Sequence, residues 1–150
     1  MVKGGTGNRT VNADSSGPDR IVRIDGADLF DRFGSSVVPT GDTDGDGMPD
    51  FAVGAPLAGT AVHHLAGKVY FFKGMDVTGA ATLADATVFE GVAKDQVYGI
   101  ALESAGFGWL LIGAPGANRN AGAFSAVDLS TGRTVLDGSG GGAGGGGECP

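Results

Sequence analysis

The sequence predicts an all-β fold built from two four-stranded antiparallel sheets. Three observations carry this prediction: short runs of β-branched and aromatic residues, glycine-rich turns between them, and a repeat of the whole pattern along the chain. Of the 150 residues, 30 are Gly and 41% are hydrophobic. The chain therefore has enough apolar side chains for a core and many points at which it can turn.

Four landmarks recur in the same order. They are an apolar-acidic-Gly step, an aromatic-Gly step, Gly-Ala-Pro, and an Ala-Gly pair before an apolar run. They begin at Ile24, Phe33, Gly54 and Ala66 in the first copy, and at Phe89, Tyr98, Gly113 and Ala121 in the second. The first two steps recur after 65 positions, as from Phe33 to Tyr98. Such self-similarity predicts repeated structural units.

Each copy supplies candidates for four short strands. In the first copy they lie at 21–24, 36–38, 51–53 and 69–72; in the second they lie at 86–89, 100–102, 110–112 and within 121–127. Pro56 and Pro115 end the strands before them, because proline cannot donate to a sheet. The predicted organisation is a flexible lead-in over 1–19, repeat units over 20–80 and 81–137, and a Gly-rich tail over 138–150.

The clearest chemical signal is an acidic stretch in the first copy, residues 42–50. Its carboxylates stand at positions 1, 3, 5 and 9: Asp42, Asp44, Asp46 and Asp50. Gly47 at position 6 allows a sharp turn, and Met48 at position 7 offers a main-chain carbonyl. Ca²⁺ binds six to eight oxygens at about 2.3–2.6 Å, so this spacing predicts a calcium loop.

Two other interpretations of the acidic stretch are open. It could be a solvated turn, because Asp-Gly pairs are common turn formers. It could be an EF-hand, but position 12 is Val53 instead of Glu, and the residues that follow read as a strand ended by Pro56. The second copy has 15 positions from Tyr98 to Gly113, against 21 from Phe33 to Gly54. The acidic loop is what is missing, so that copy should bind no calcium.

Phe33-Gly34 and Gly54-Ala55-Pro56, placed on either side of the acidic loop, resemble the FG-GAP repeats of integrin alpha-chain β-propellers and of many secreted bacterial proteins. The second copy departs from this pattern with Tyr98-Gly99. The resemblance implies that each repeat is a propeller blade, and that Asp42, Asp44, Asp46, Asp50 and the Met48 carbonyl bind Ca²⁺. Two blades cannot close a ring, so we expect a fragment of a larger propeller, with further blades or other copies completing it.

The net charge of the chain and its expected calcium affinity limit its possible partners and its location. With 10 Lys and Arg against 17 Asp and Glu, the net charge is −7, which disfavours nucleic-acid binding. No apolar run is long enough for a transmembrane helix, and no signal-peptide pattern is visible. Extracellular calcium modules typically bind with Kd of about 10⁻⁴–10⁻³ M, which favours an extracellular or cell-surface location.

The sequence thus predicts a non-catalytic, calcium-stabilised module for ligand binding or cell adhesion, with a protein or glycan partner. One alternative is a non-catalytic propeller segment of a secreted enzyme. Another is a dockerin-like or thrombospondin-like calcium module, which would show helices or repeated acidic loops. No catalytic triad or Walker A motif can be assembled from the sequence.

Several weaker features indicate candidate contact loops, packing residues and modification sites. Loop 57–65, with His63 and His64, is the first candidate for a contact region, and loop 116–120 is the second. Tyr98, Phe107 and Trp109 are expected to pack between the sheets. Asn8 begins a glycosylation sequon, and Cys149 is a free thiol or an intermolecular link.

Overall fold

The computed structural model describes residues 23–74 and 82–137, apart from the side chains of 135–137. The predicted lead-in, the Asn8 sequon, the Gly-rich tail and Cys149 lie outside the described residues. Those that are described form two four-stranded antiparallel sheets. The predicted fold class is confirmed.

Within each sheet the strands are neighbours in chain order, as in a meander. Sheet 1 contains β1 (Ser36–Gly41), β2 (Asp50–Ala55), β3 (Lys68–Phe72) and β4 (Thr87–Glu90). Sheet 2 contains β5 (Ala101–Gly106), β6 (Trp109–Ala114), β7 (Ala123–Asp128) and β8 (Arg133–Asp137). The helical elements that lie wholly within the described part are a 3-10 turn at Leu83–Asp85 and a short segment, α1, at Ala117–Asn120, in which Asn118 and Arg119 have left-handed backbone angles. None of these described helices has the length or apolar character that a membrane span needs.

The structure assigns one predicted strand to the other sheet. The segment at 86–89, expected to open the second repeat unit, is β4 and pairs with β3 in sheet 1. Val69 lies opposite Phe89, and Lys68 forms a 2.9 Å ion pair with Glu90 across the same two strands. The predicted boundary between positions 80 and 81 therefore falls inside the connection from β3 to β4.

Because the strand at 86–89 belongs to sheet 1, the outer strands of both sheets also differ from the prediction. The fourth strand of sheet 2 is β8, which the sequence interpretation did not include. Arg23 and Ile24, part of the predicted strand 21–24, are not in a strand, and residues 21 and 22 are not described. Ile24 instead packs from a loop against the outer face of sheet 1.

Alternate residues of sheet 1 enter two different apolar clusters, as the two-residue period of a strand requires. Ala52 and Phe71 point towards sheet 2. Val53 and Phe72 point to the opposite face, where Phe33 and Leu83 cover them. Both faces of the central strands are therefore buried.

The two sheets stack in the same orientation, front to back. Gly54 in β2 and Gly113 in β6 occupy equivalent positions, because each pairs with the first residue of the preceding strand. The face of sheet 1 that holds Ala52 packs on the face of sheet 2 that holds Leu110 and Ile112. The core between the sheets thus joins the front of one repeat to the back of the next.

Close backbone approach fixes this stacking. A Cβ on Gly54 would overlap the Gly99 carbonyl oxygen, and the Ser36 hydroxyl donates to that same oxygen at 2.8 Å. Tyr98 lies in the core between the sheets, as predicted. Phe107 does not, because it forms the exposed tip of the β5–β6 hairpin.

Candidate metal centre

The acidic loop joins β1 to β2 at one end of sheet 1. Gly41 pairs with Asp50 across its base, and a bulge separates that pair from the next one at Pro39. Gly45 and Gly47 have φ of +82° and +87°, with no atom within 4 Å of where a Cβ would stand. These glycines are therefore favoured by backbone conformation and not by lack of space.

Three of the four loop carboxylates converge. One oxygen each from Asp42, Asp44 and Asp50 lies within 4.8 Å of the others. Two oxygens bound to one Ca²⁺ at about 2.3–2.6 Å can be at most about 5 Å apart, so the spacing suits a shared ion. The donor set consists of hard carboxylate oxygens, which calcium prefers.

Asp42 organises the loop around its own side chain. Its Oδ1 accepts hydrogen bonds from the amides of Gly45 and Asp46 at 2.7 and 3.1 Å. Its Oδ2 accepts from the amide of Gly47 at 2.9 Å. Three successive backbone amides thereby donate to one carboxylate, which fixes the shape of the loop.

Asp50 attaches the loop to the rest of sheet 1. Its side chain is fully buried, at 0% exposure. Oδ2 accepts from both the amide and the hydroxyl of Thr43, and Oδ1 accepts from the amide of Gly74 at 2.8 Å. Because Gly74 follows β3, this carboxylate links the loop to the end of the neighbouring strand. A buried charge with several donors is stabilised by them.

Asp44 forms an ion pair with a lysine that lies outside the loop. Lys73 Nζ lies 3.1 Å from its Oδ2, with the two side chains 49% and 27% exposed. The hydrogen bond from Lys73 lowers the pKa of the Asp44 carboxyl below its usual value, because it stabilises the ionised form. A tethered ammonium group thus touches one of the three converging carboxylates.

Asp46 and Met48 occupy the outer part of the loop. Asp46 Oδ1 accepts from the Met48 amide at 2.7 Å, and Met48 is 43% exposed. The converging group consists of Asp42, Asp44 and Asp50. The assignment of all five groups as calcium ligands, the carboxylates of Asp42, Asp44, Asp46 and Asp50 and the Met48 carbonyl, remains a prediction.

Sequence reasoning missed three residues that support the loop: Thr43, Lys73 and Gly74. A Cβ on Gly74 would lie 2.8 Å from the Met48 Cβ, so the loop packs directly on this glycine. Lys73 and Gly74, directly after an apolar strand, could have been recognised from the sequence as a turn. Their contact with the loop could not, because Gly74 lies 24 residues beyond Asp50.

The equivalent hairpin in sheet 2 has no such loop. Gly106 pairs with Trp109, and only Phe107 and Gly108 lie between them. Both have positive φ, 51° and 79°, as in a type I′ turn. The predicted shortening of the second copy is confirmed.

The two His residues lie at the opposite end of the sheet, in the connection from β2 to β3. His63 is partly buried and its amide donates to the Thr60 hydroxyl at 3.0 Å, while His64 is exposed. The His64 carbonyl accepts from the Asp95 amide at 3.1 Å, which joins this connection to the one that enters sheet 2. These His residues are therefore separate from the acidic cluster.

Comparison with known proteins agrees with this architecture. The FG-GAP repeat profile matches residues 33–72, which include β1, the acidic loop, β2 and β3. Integrin alpha-V of Gallus gallus is 42% identical over 60 residues, covering 40% of this chain and 6% of that protein. Integrin alpha-IIb of Homo sapiens is 33% identical over 102 residues, covering 64% of this chain and 9% of that protein.

Integrin alpha-5 of Xenopus laevis is 43% identical over 51 residues, covering 34% of this chain and 5% of that protein. The matched part of the chain thus spans less than a tenth of each of these relatives. Four-stranded antiparallel sheets stacked front to back are what FG-GAP propeller blades require. The chain therefore contains an FG-GAP repeat at residues 33–72 and is similar to integrin alpha chains over part of its length.

Proposed function

We propose that this chain is a calcium-stabilised, non-catalytic module for ligand binding or cell adhesion outside the cell. The observation that carries the proposal is the convergence of Asp42, Asp44 and Asp50 within 4.8 Å. Similarity to integrin alpha chains supports the adhesion role. Weak, millimolar-range calcium affinity is useful where calcium is abundant, which supports an extracellular or cell-surface location.

The proposed ligands are the three converging carboxylates together with the Asp46 carboxylate and the Met48 carbonyl. A bound Ca²⁺ would supply two positive charges among four acidic side chains that otherwise repel one another. The chain itself already orients the loop through Asp42 and anchors it through Asp50. The role proposed for the ion is therefore to stabilise a loop whose shape is largely set.

Calorimetry with calcium tests this proposal. We expect Ca²⁺ to bind one site in the folded chain with Kd of about 10⁻⁴–10⁻³ M. Asp46→Ala should melt in calcium at the temperature at which the unmodified chain melts in chelator. A folded chain that gives no heat with calcium, and melts identically with and without it, would reject the structural ion.

We further propose that the loops at the other end of the sheets contact the protein or glycan ligand. Backbone hydrogen bonds connect the loops of sheet 1, from the Leu57 amide to the Asp31 carbonyl, and join them to the β4–β5 connection, from the Val97 amide to the Leu65 carbonyl. Exposed apolar side chains stand on them, at 77–87% exposure: Leu29, Phe30, Val62 and Val92. Exposed apolar groups on a connected loop surface are typical of recognition sites.

Adhesion of cells to the immobilised chain tests the loop surface. Leu29→Ser with Phe30→Ser should reduce adhesion without changing the melting temperature. Val37→Ser is a matched control, because Val37 is exposed but lies on a strand away from these loops. Equal adhesion of all three proteins would contradict the assignment.

We propose that a further sheet, from additional blades or another copy, covers the free face of sheet 2. Phe124 and Leu111 occupy the positions that Val69 and Ala52 occupy in sheet 1. Val69 and Ala52 are fully buried against sheet 2, whereas Phe124 is 50% exposed. Sedimentation should detect self-association that Phe124→Glu abolishes; a monomer at all concentrations would point away from other copies.

The division into repeat units also remains a proposal, with the unit of sheet 1 now extending to Glu90. Limited proteolysis should cut the folded chain between β4 and β5 before it cuts within either sheet.

A further inference from the structure

We propose that Lys73 sets the affinity of the acidic loop for cations and its preference among ion charges, by competing with the bound ion for Asp44. This inference rests on the proposed calcium site. The lysine ammonium lies 3.1 Å from Asp44 Oδ2, at the distance of a charge-assisted hydrogen bond. It therefore neutralises part of the charge that a metal ion would otherwise neutralise.

Backbone contacts hold Lys73 beside the loop. The next residue, Gly74, donates its amide to the buried Asp50 Oδ1 at 2.8 Å and packs on Met48. The residue after Lys73 is thus fixed beside the Asp50 carboxylate, one of the three that converge. Lys73 directly follows β3, and its side chain extends from there to Asp44.

Ion binding and the Lys73–Asp44 pair oppose each other. An ion bound to Asp44 at about 2.3–2.6 Å would lie within a few ångströms of the ammonium group. If Lys73 stays, two cations repel at short range; if it moves away, the ion pair is lost. Either response weakens cation binding relative to a chain with a neutral residue at this position.

Two other lysines form ion pairs with carboxylates outside the acidic loop. Lys68 pairs with Glu90 at 2.9 Å across β3 and β4, and Lys94 pairs with Asp95 at 3.6 Å in the connection between the sheets. Lys73 pairs with a carboxylate of the acidic loop, whereas Lys94 does not. Lys94 therefore offers a matched control.

Charge dependence distinguishes competition from a change of loop shape. Coulomb repulsion from the ammonium increases linearly with the charge of the bound ion. If the ammonium stays beside the bound ion, removing Lys73 should therefore raise the logarithm of the affinity about 1.5 times as much for a trivalent ion as for a divalent one, whereas loss of the ion pair alone would give equal gains. A change in loop geometry has no reason to follow this ratio.

The test measures binding of Ca²⁺ and Tb³⁺ to the full chain and to Lys73→Met, Lys73→Arg and Lys94→Met. We expect Lys73→Met to bind Ca²⁺ about threefold to tenfold more tightly, as expected for one partly exposed charge, and to gain more for Tb³⁺. Lys73→Arg and Lys94→Met should remain within about twofold of the unmodified chain. Raising the salt concentration should reduce the gain.

A second readout needs no metal. In chelator, Lys73→Met should lower the melting temperature slightly, because the loop carboxylates lose a compensating cation, whereas Lys94→Met should not. Unchanged or weaker calcium binding by Lys73→Met, with the unmodified chain binding normally, would overturn this inference alone. If neither protein bound calcium while both were folded, the proposed function would fail together with the inference.

Discussion

The β1–β2 and β5–β6 hairpins place very different loops on the same strand geometry. Both have a bulge at the same place, between Pro39 and Gly41 in one and between Ser104 and Gly106 in the other. One then runs through the acidic loop, and the other turns in two residues. The hairpin therefore does not need the acidic loop to form, which indicates that the loop serves another purpose.

The first strand residue after each loop differs between the two hairpins, and the difference shows how the acidic loop is attached to its sheet. Asp50 and Trp109 occupy equivalent positions, each paired with the glycine that ends the preceding strand. Asp50 is fully buried and receives three hydrogen bonds, while Trp109 is partly exposed. A carboxylate at this position costs desolvation, and the contacts from Thr43 and Gly74 compensate for it.

Asp50→Ala should have the largest effect on stability. It leaves three donors without their buried acceptor, so we expect a loss of about 3 kcal/mol or more in chelator, measured by denaturant unfolding. Asp46→Asn is the control, because Asp46 is exposed and accepts one local hydrogen bond. A loss no larger than that of the control would show that Asp50 does not anchor the loop.

A matched pair of glycines tests the front-to-back stacking. Gly54→Ala should cost about 2–3 kcal/mol, because the new methyl overlaps the Gly99 carbonyl. The equivalent Gly113→Ala should cost less than about 1 kcal/mol, because its Cβ would meet only edge-strand atoms, at 3.3 Å from Ala101 Cβ. Equal losses in thermal unfolding would mean that the sheets do not pack in this way.

The sequence predicted the central strands and the different loops of the two hairpins, but not the sheet to which every strand belongs. The strands around Phe51 and Leu110 and the missing loop of the second copy followed from local pattern. A sequence repeat shows the length of the repeating unit but not the residue at which each unit begins. It could therefore not show that Phe89 pairs with Val69 instead of belonging to the next sheet. The Thr131-Gly132 turn before Thr134 was a usable signal for β8.

The supporting contacts of the acidic loop were beyond local pattern. Motif spacing identifies candidate ligands because they lie within nine residues of one another. Lys73 and Gly74 reach the loop only because β3 lies beside β2, which is a tertiary fact. The burial of Asp50 depends on the same packing.

The bulge offers a smaller test. The Thr40 hydroxyl is buried and has no hydrogen-bond partner among the described residues, and the equivalent residue of sheet 2 is Ala105. Thr40→Val should leave stability unchanged or raise it by up to about 1 kcal/mol in denaturant unfolding, because it removes an unpaired buried polar group. A clear loss would indicate that the hydroxyl has a role that this account omits.

The smallest expected effect concerns a carboxylate of sheet 2. The Ser130 hydroxyl donates to Asp128 at 2.6 Å and lowers the pKa of that carboxyl. A lowered folded-state pKa adds stability that is present above the ordinary value and lost as pH falls through the folded-state pKa. Ser130→Ala should raise the Asp128 pKa in an NMR titration, and an unchanged Asp128 pKa would contradict the role given to this hydroxyl.

The central claim is that the acidic loop, and not the sheet that carries it, binds calcium. The direct measurement is the shift in melting temperature between chelator and about 10 mM calcium, for the unmodified chain and for a chain in which Phe-Gly-Trp, the sequence of the equivalent hairpin in sheet 2, replaces residues 42–50. At a Kd of about 10⁻⁴–10⁻³ M the unmodified chain should gain about 1.4–2.7 kcal/mol from calcium. The account predicts that the replaced chain folds and shows no shift; an equal shift in both chains, or none in either, would contradict it.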